Sequence, residues 1–298
     1  MFTRFGPASD IVMANLRGDV RLWSVPEGRE LRRVQIEDPF GWGPMSDGGF
    51  FTLTKVGTRT VIRQWSFGAG ESREIGSMEG FPGAWASGGD WLAYTRDRKV
   101  YLRSLQNWRS PPRLLAEHAA DLRDLDVSAD GKRVAVSDTS GEVRIWPTSS
   151  GPSRPERVLR TPGTSLPRFD RSGRWLAALQ KVDGHPTVRL FDLGAPRGTE
   201  GVVLRRADAV IVGWPPFDPS GQWLVTGSKV AALWWLGQTQ PLVLERHCCS
   251  GLLARRPLVG VHGGRTHTNL RALPDPASPT GYKLEPGPFP GWAKPPEW

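Results

Sequence analysis

The sequence predicts an all-β fold assembled from repeated sheets, and three observations carry that prediction. The 298 residues include 35 Gly, 27 Pro and 14 Trp, which means many turns with large aromatics to pack between them. A strand pattern closing on a bulky residue recurs at intervals of 42, 38, 43, 45 and 44 residues. A glycine turn followed by an apolar run recurs upstream of it, in step with the first pattern. Two columns that keep the same period mark a repeat architecture, in which each copy is one supersecondary unit.

The recurring strand reads V-R-L-W at 20–23, V-I-R-Q-W at 61–65, V-Y-L-R at 100–103, V-R-I-W at 143–146, V-R-L-F at 188–191 and A-L-W-W at 232–235. Its closing position is Trp23, Trp65, Arg103, Trp146, Phe191 and Trp235. Closing strands are therefore predicted near 20–25, 61–67, 99–105, 142–148, 187–193 and 230–236. The upstream turns carry Gly49, Gly89, Gly131, Gly173 and Gly221, because glycine supplies the positive φ that other residues resist. Four residues before each stands Met45, Trp85, Val127, Phe169 or Phe217, and Phe5 holds the same place ahead of Ser9. Apolar side chains there suit an inner strand packed between neighbouring sheets. The period and the strand–turn–strand order match a four-stranded propeller blade, which allows about six to seven blades.

The best-formed copy is 114–148, with His118, an S-x-D-G turn at 128–131, Ser137 on the second strand and Trp146 at the close. On these residues the chain resembles the WD40-repeat family, over about 1–247. The resemblance implies a WD40-like β-propeller that binds other proteins and catalyses nothing. Blades of that family often carry a hydrogen-bonded Trp–Ser–His–Asp set, with the Asp six residues before the Trp. That position is Ser140 in the best copy and Arg17 in the first, so the blades are expected to lean on apolar packing instead.

Both ends depart from the pattern. The chain starts just before the turn of a repeat, so the first blade is expected to lack its outer strand and most of its inner one. An upstream truncation is the expectation. After His247 the repeat stops, and residues 248–298 hold 9 Pro and 7 Gly and read as a poorly structured tail. Codons permitted for Leu252–Leu270, read from the second base, spell F-S-P-D-G-R-W-L-A-S-T-E-D-G-H-I-R-I-Y. That is a further copy of the repeat, so a shifted reading frame near Arg246–Gly251 is expected. It removes Cys248, Cys249, His262 and His267 as site candidates.

Charge and motifs narrow the function classes. The net charge of +9 invites nucleic acid as a partner, but the basic residues are spread along the chain without a run, so none is expected. There is no G-x-S-x-G, no H-E-x-x-H and no phosphate loop, so no catalytic, metal or cofactor site is expected. Asp47, Asp130, Asp170 and Asp218 recur at turns, where Asp caps the local backbone. Arg21, Arg63, Arg144 and Arg189 recur two residues before the closing aromatic and read as packed or solvated stems rather than a phosphate ring. Trp23, Trp65, Trp146, Phe191, Trp235, His118 and Ser137 are the structural repeat positions. Trp42 and Trp214 lie seven residues before a turn glycine and are the candidates for partner binding, with packing between blades as the alternative. No signal peptide and no apolar run long enough for a membrane span are present, and a cytoplasmic protein is expected. A non-catalytic scaffold is the leading reading. The alternatives are the propeller part of a larger signalling enzyme such as a Ser/Thr kinase, the propeller of a hydrolase, and a truncated fragment without function.

Overall fold

A computed structural model describes residues 2–5, 11–16, 19–24, 29–37, 39–47, 49–66, 72–149, 154–161, 163, 166–182, 185–204, 217, 223–227, 231–236, 242–244, 248–253, 258–263 and 267–272, some strand residues by backbone alone. Strands are the only regular structure among them, and they pair antiparallel in short meanders. The chain divides into two compact units, one of residues 36–207 and one of residues 1–35 with 208–298.

In the second of these, the first sheet is β1 (Phe2–Phe5), β2 (Ile11–Leu16), β3 (Asp19–Ser24) and β4 (Glu30–Gln35), in that order. This corrects the expectation of a blade without an outer strand. The fourth strand of this sheet comes from the residues after the closing strand.

The unit of residues 36–207 holds four sheets of four strands each. They are β5 (Pro39–Pro44), β6 (Phe50–Val56), β7 (Arg59–Trp65) and β8 (Ser72–Glu79); then β9 (Trp85–Gly88), β10 (Trp91–Arg96), β11 (Lys99–Ser104) and β12 (Arg113–Glu117). Next come β13 (Leu122–Val127), β14 (Arg133–Asp138), β15 (Glu142–Pro147) and β16 (Arg157–Arg160), then β17 (Pro167–Phe169), β18 (Trp175–Val182), β19 (His185–Asp192) and β20 (Val202–Leu204). Gly89, Gly131 and Gly173 take positive φ at the turn between first and second strands, as their recurrence demanded.

Both faces of these sheets are covered, because each sheet packs on its neighbour. Phe51, Leu53 and Ile62 of one sheet meet Leu92, Tyr94 and Leu105 of the next. Val100, Leu102 and Leu115 meet Leu125, Val134, Val136 and Trp146. Ala135, Val143 and Ile145 meet Leu176, Ala178 and Phe191. Burial on both faces explains why the second strands read as nearly continuous apolar runs.

After residue 207 the other unit continues with β21 (Trp223–Gly227), β22 (Ala231–Trp235) and β23 (Leu242–Leu244), and Phe217 makes a bridge to Leu224. Leu224 pairs with Trp234, and Trp223 with Trp235. In three of the other sheets the second-strand residue facing the closing position stands three after the turn glycine, as Leu92, Val134 and Leu176 do, whereas in the β5–β8 sheet Phe50, one after Gly49, faces Trp65. The repeat position is therefore Trp234 and not Trp235, a correction of one residue that adjacent tryptophans concealed. In the stretch 248–298, three strands are described: β24 (Cys248–Leu253), β25 (Leu258–Gly263) and β26 (His267–Ala272).

Candidate functional site

The polar cluster at the best-formed repeat is buried and pairs His118 with Asp138, while His118 Nε2 has no hydrogen-bond partner. His118 follows β12, and its Nδ1 meets the Asp138 carboxylate at 3.1 Å with both side chains out of water. Asp138 ends β14 and also accepts from the backbone and hydroxyl of Ser140. Burial by itself holds the His118 imidazole below the ordinary histidine range, and its bond to Asp138 offsets only part of that. Burial would push the Asp138 carboxyl up, but the bonds from Ser140 and His118 together outweigh it and leave it below the ordinary carboxylate range. The acid of this set is thus Asp138, eight residues before Trp146. The expected position, six residues before it, is Ser140, which donates to Asp138. Ser137 donates to the Asp124 carbonyl at 3.1 Å. The Trp146 ring stands 6.4 Å from the His118 ring, and its Nε1 has no hydrogen-bond partner.

Elsewhere the closing indole finds a threonine on the second strand. Trp65 Nε1 donates to Thr52 Oγ1 at 3.0 Å, and the buried Trp234 donates to Thr226 Oγ1 at 2.7 Å. Phe191 is buried, while the side chains of Trp23 and Trp235 lie outside the described residues. The turn aspartates bond their own backbones: Asp47 accepts from Gly49, Asp130 from Lys132, and Asp170 from Ser172 and Trp175. Arg21 pairs with Asp19 and Arg144 with Glu142, each two residues upstream on the same strand. Those arginines are occupied, which fits packed stems. Among the described residues, no three His, Cys, Asp or Glu side chains gather as metal ligands would.

Trp42, a candidate for partner binding, is 4% exposed in β5, so its indole is packed as the alternative reading had it. Trp214 lies outside the described residues. Among the described residues, two exposed aromatics are ones that the sequence reading passed over. Phe40 at the start of β5 is 43% exposed and Phe81, just after β8, is 41% exposed. Their rings meet edge to face, 6.3 Å apart at 83°. Val56, 51% exposed, ends β6 at the same end of that sheet, since Pro39 pairs with Thr54 and Arg59 with Glu79. Lys55 Nζ stands 4.5 Å from the centroid of the Phe81 ring. Arg59 pairs with the Glu79 carboxylate at 3.3 Å, and Arg96 donates to the Glu79 carbonyl. Single exposed apolar residues need no explanation, but a cluster rimmed by charge marks a place where another molecule can be held.

A further arginine column went unread because it sits on the fourth strands, where spacing varies. Arg32, Arg73, Arg113 and Arg157 face Leu22, Gln64, Leu102 and Ile145, each one residue before the closing position. Arg113 donates to the Thr148 carbonyl of the following sheet, and Arg157 to the carbonyls of Leu193 (2.9 Å) and Ala195 of the one after. These contacts tie neighbouring sheets together and leave the aromatic edge as the candidate for binding.

Comparison with known proteins agrees with this architecture. Residues 109–147 match the model of the WD domain, G-beta repeat (WD40). The crystal structure of the β-propeller domain of Cps50 (Swd1) from Myceliophteria thermophila is similar over 89% of this chain and 93% of that one, with a TM-score of 0.63 and 14% sequence identity. No curated protein matches the chain in sequence. Residues 109–147 thus carry a WD40 repeat, the other sheets are laid out on a similar plan, and the chain has a β-propeller fold.

Proposed function

We propose that this chain is a non-catalytic scaffold whose rigid blades present an exposed edge to protein partners. The observation that carries the reading is the Phe40–Phe81 pair, two large aromatics held in contact with each other and left open to solvent. WD40 propellers typically mediate protein interactions, and the polar clusters described here are engaged in holding the blades. Among the described residues no helix is long and apolar enough to cross a membrane. The partners are expected to be soluble proteins rather than nucleic acid. The experiment is crosslinking of the full chain in its own cell extract, beside a Phe40→Ser/Phe81→Ser variant. A defined protein captured by the first and lost with the second supports the reading. Equal capture by both overturns the assignment to this edge.

A second reading, a fragment without function of its own, is favoured by the codons that Leu252–Leu270 permit: read from the second base, they can spell a better repeat than the printed frame. Sequencing the gene across codons 246–270 tests it. A single-base change that restores that repeat supports it, and an unchanged frame overturns it.

A further inference from the structure

The chemistry around Phe81 identifies a kind of partner, an inference that rests on the scaffold reading above. Two cations stand at this edge without a carboxylate of their own among the described residues. Lys55 has its ammonium against the Phe81 ring, and the Arg96 guanidinium is held by the backbone carbonyl of Glu79, two residues before Phe81. The nearby Glu79 carboxylate is already taken by Arg59. Glu37 is exposed three residues before Phe40, and Asp97 is exposed beside Arg96 in sequence. Between the cations and Phe40 lie the apolar surfaces of Phe40, Val56 and Phe81.

We propose that this edge binds an acidic linear peptide segment of a partner protein, with one aromatic or large aliphatic anchor between Phe40, Val56 and Phe81 and carboxylates on Lys55 and Arg96. Apolar burial supplies the affinity, while the charges set orientation and exclude basic segments. Two other occupants fit less well. A nucleic-acid strand needs an open aromatic face for stacking, and Lys55 covers one face of Phe81 while Phe40 meets it edge to face. A second copy docked edge to edge would bring like charges together, Lys55 and Arg96 against their own equivalents.

The test is selection of short random peptides displayed against the full chain, followed by affinity measurements on the wild type and two variants. Phe40→Ser/Phe81→Ser removes the apolar surface, and Lys55→Glu/Arg96→Glu reverses the charge. All these positions are exposed, and circular dichroism checks that the variants remain folded. The expected result is enrichment of peptides with one bulky apolar residue beside Asp or Glu. Their binding should be lost in the first variant and weakened about tenfold in the second, with salt weakening it in the wild type. Peptides that need Phe40 and Phe81 but carry no acidic bias would overturn the partner chemistry and leave the scaffold reading standing. Selected peptides indifferent to Phe40 and Phe81 would overturn the edge as the site. No selection at all, joined to equal crosslinking by wild type and Phe40→Ser/Phe81→Ser, would overturn both. Oligonucleotide binding that disappears in Lys55→Glu/Arg96→Glu, or self-association that disappears in Phe40→Ser/Phe81→Ser, would each overturn the peptide in favour of the other occupant.

Discussion

The indole of Trp108 occupies the space that a side chain at Gly76 would need: a Cβ there would stand 1.8 Å from Trp108 Cδ1 and 2.0 Å from Nε1. Gly76 is in β8, and Trp108 lies in the loop after the closing strand of the next sheet. That sheet closes on Arg103 instead of an aromatic, and the Arg103 guanidinium stacks on Trp108 at 4.3 Å while donating to its carbonyl at 2.7 Å. The missing aromatic is thus supplied five residues later, from a turn, and the neighbouring strand keeps a glycine to receive it.

Gly76→Ala is therefore expected to destabilise the protein by about 1–3 kcal/mol through overpacking. Trp108→Ala will itself cost about 3–5 kcal/mol. The double variant should cost less than the sum, because the second change removes the clash made by the first. Urea unfolding of the four proteins checks this, and strict additivity would contradict the contact.

His118 makes stability depend on pH. An unfolded histidine titrates near 6.5, whereas folded His118 titrates lower because burial disfavours its charged form. Just below 6.5 the unfolded chain takes up a proton that the folded chain refuses, so stability falls as pH falls through about 6.5 toward the lower folded value. Asp138 acts further down. Its folded value lies below the ordinary 3.8, so its contribution is present above 3.8 and is lost as pH falls through the folded value. His118→Asn, which can still donate to Asp138 but does not titrate, should flatten the upper part of the profile. Urea midpoints measured at stepped pH test the slope.

The two indole-to-threonine bonds should differ in worth. Thr226→Val leaves the buried Trp234 donor without an acceptor and is expected to cost about 1–3 kcal/mol. Thr52→Val leaves the half-buried Trp65 able to reach water, so about 0.5–1.5 kcal/mol is expected. Thermal unfolding of the two single variants ranks them.

Phe40→Ser and Phe81→Ser should change stability by no more than about 0.5 kcal/mol each, as exposed positions do. A large loss of stability in either would mean that the aromatic edge is a packing feature and not a free surface.

The parts of the fold that depend on period were legible in the sequence. Turn glycines such as Gly131 are visible because their backbone conformation excludes other residues, and closing aromatics such as Trp146 because both sheet faces are covered. What depends on loop length was not. Trp108 replaces Arg103 from outside the repeat frame, Asp138 serves in place of a turn acid two residues later, and Trp234 rather than Trp235 faces Leu224. Each keeps the chemistry and moves the residue. The aromatic edge was invisible for a different reason: Phe40 and Phe81 belong to no column, and exposure leaves no periodic trace in a sequence. Trp42 was the candidate instead for its regular spacing, although packing between blades was the favoured reading of that position.

The Arg113 and Arg157 contacts bear on how the unit of residues 36–207 opens. Each guanidinium begins on the outermost strand of one sheet and ends on backbone carbonyls of the sheet that follows. An outer strand cannot peel away without also releasing the loop of its neighbour, so fraying at one sheet is opposed by the next. Amide exchange in β11–β16 should therefore report a single cooperative opening, with these sheets behaving as one thermodynamic block and not as a stack of independently melting repeats.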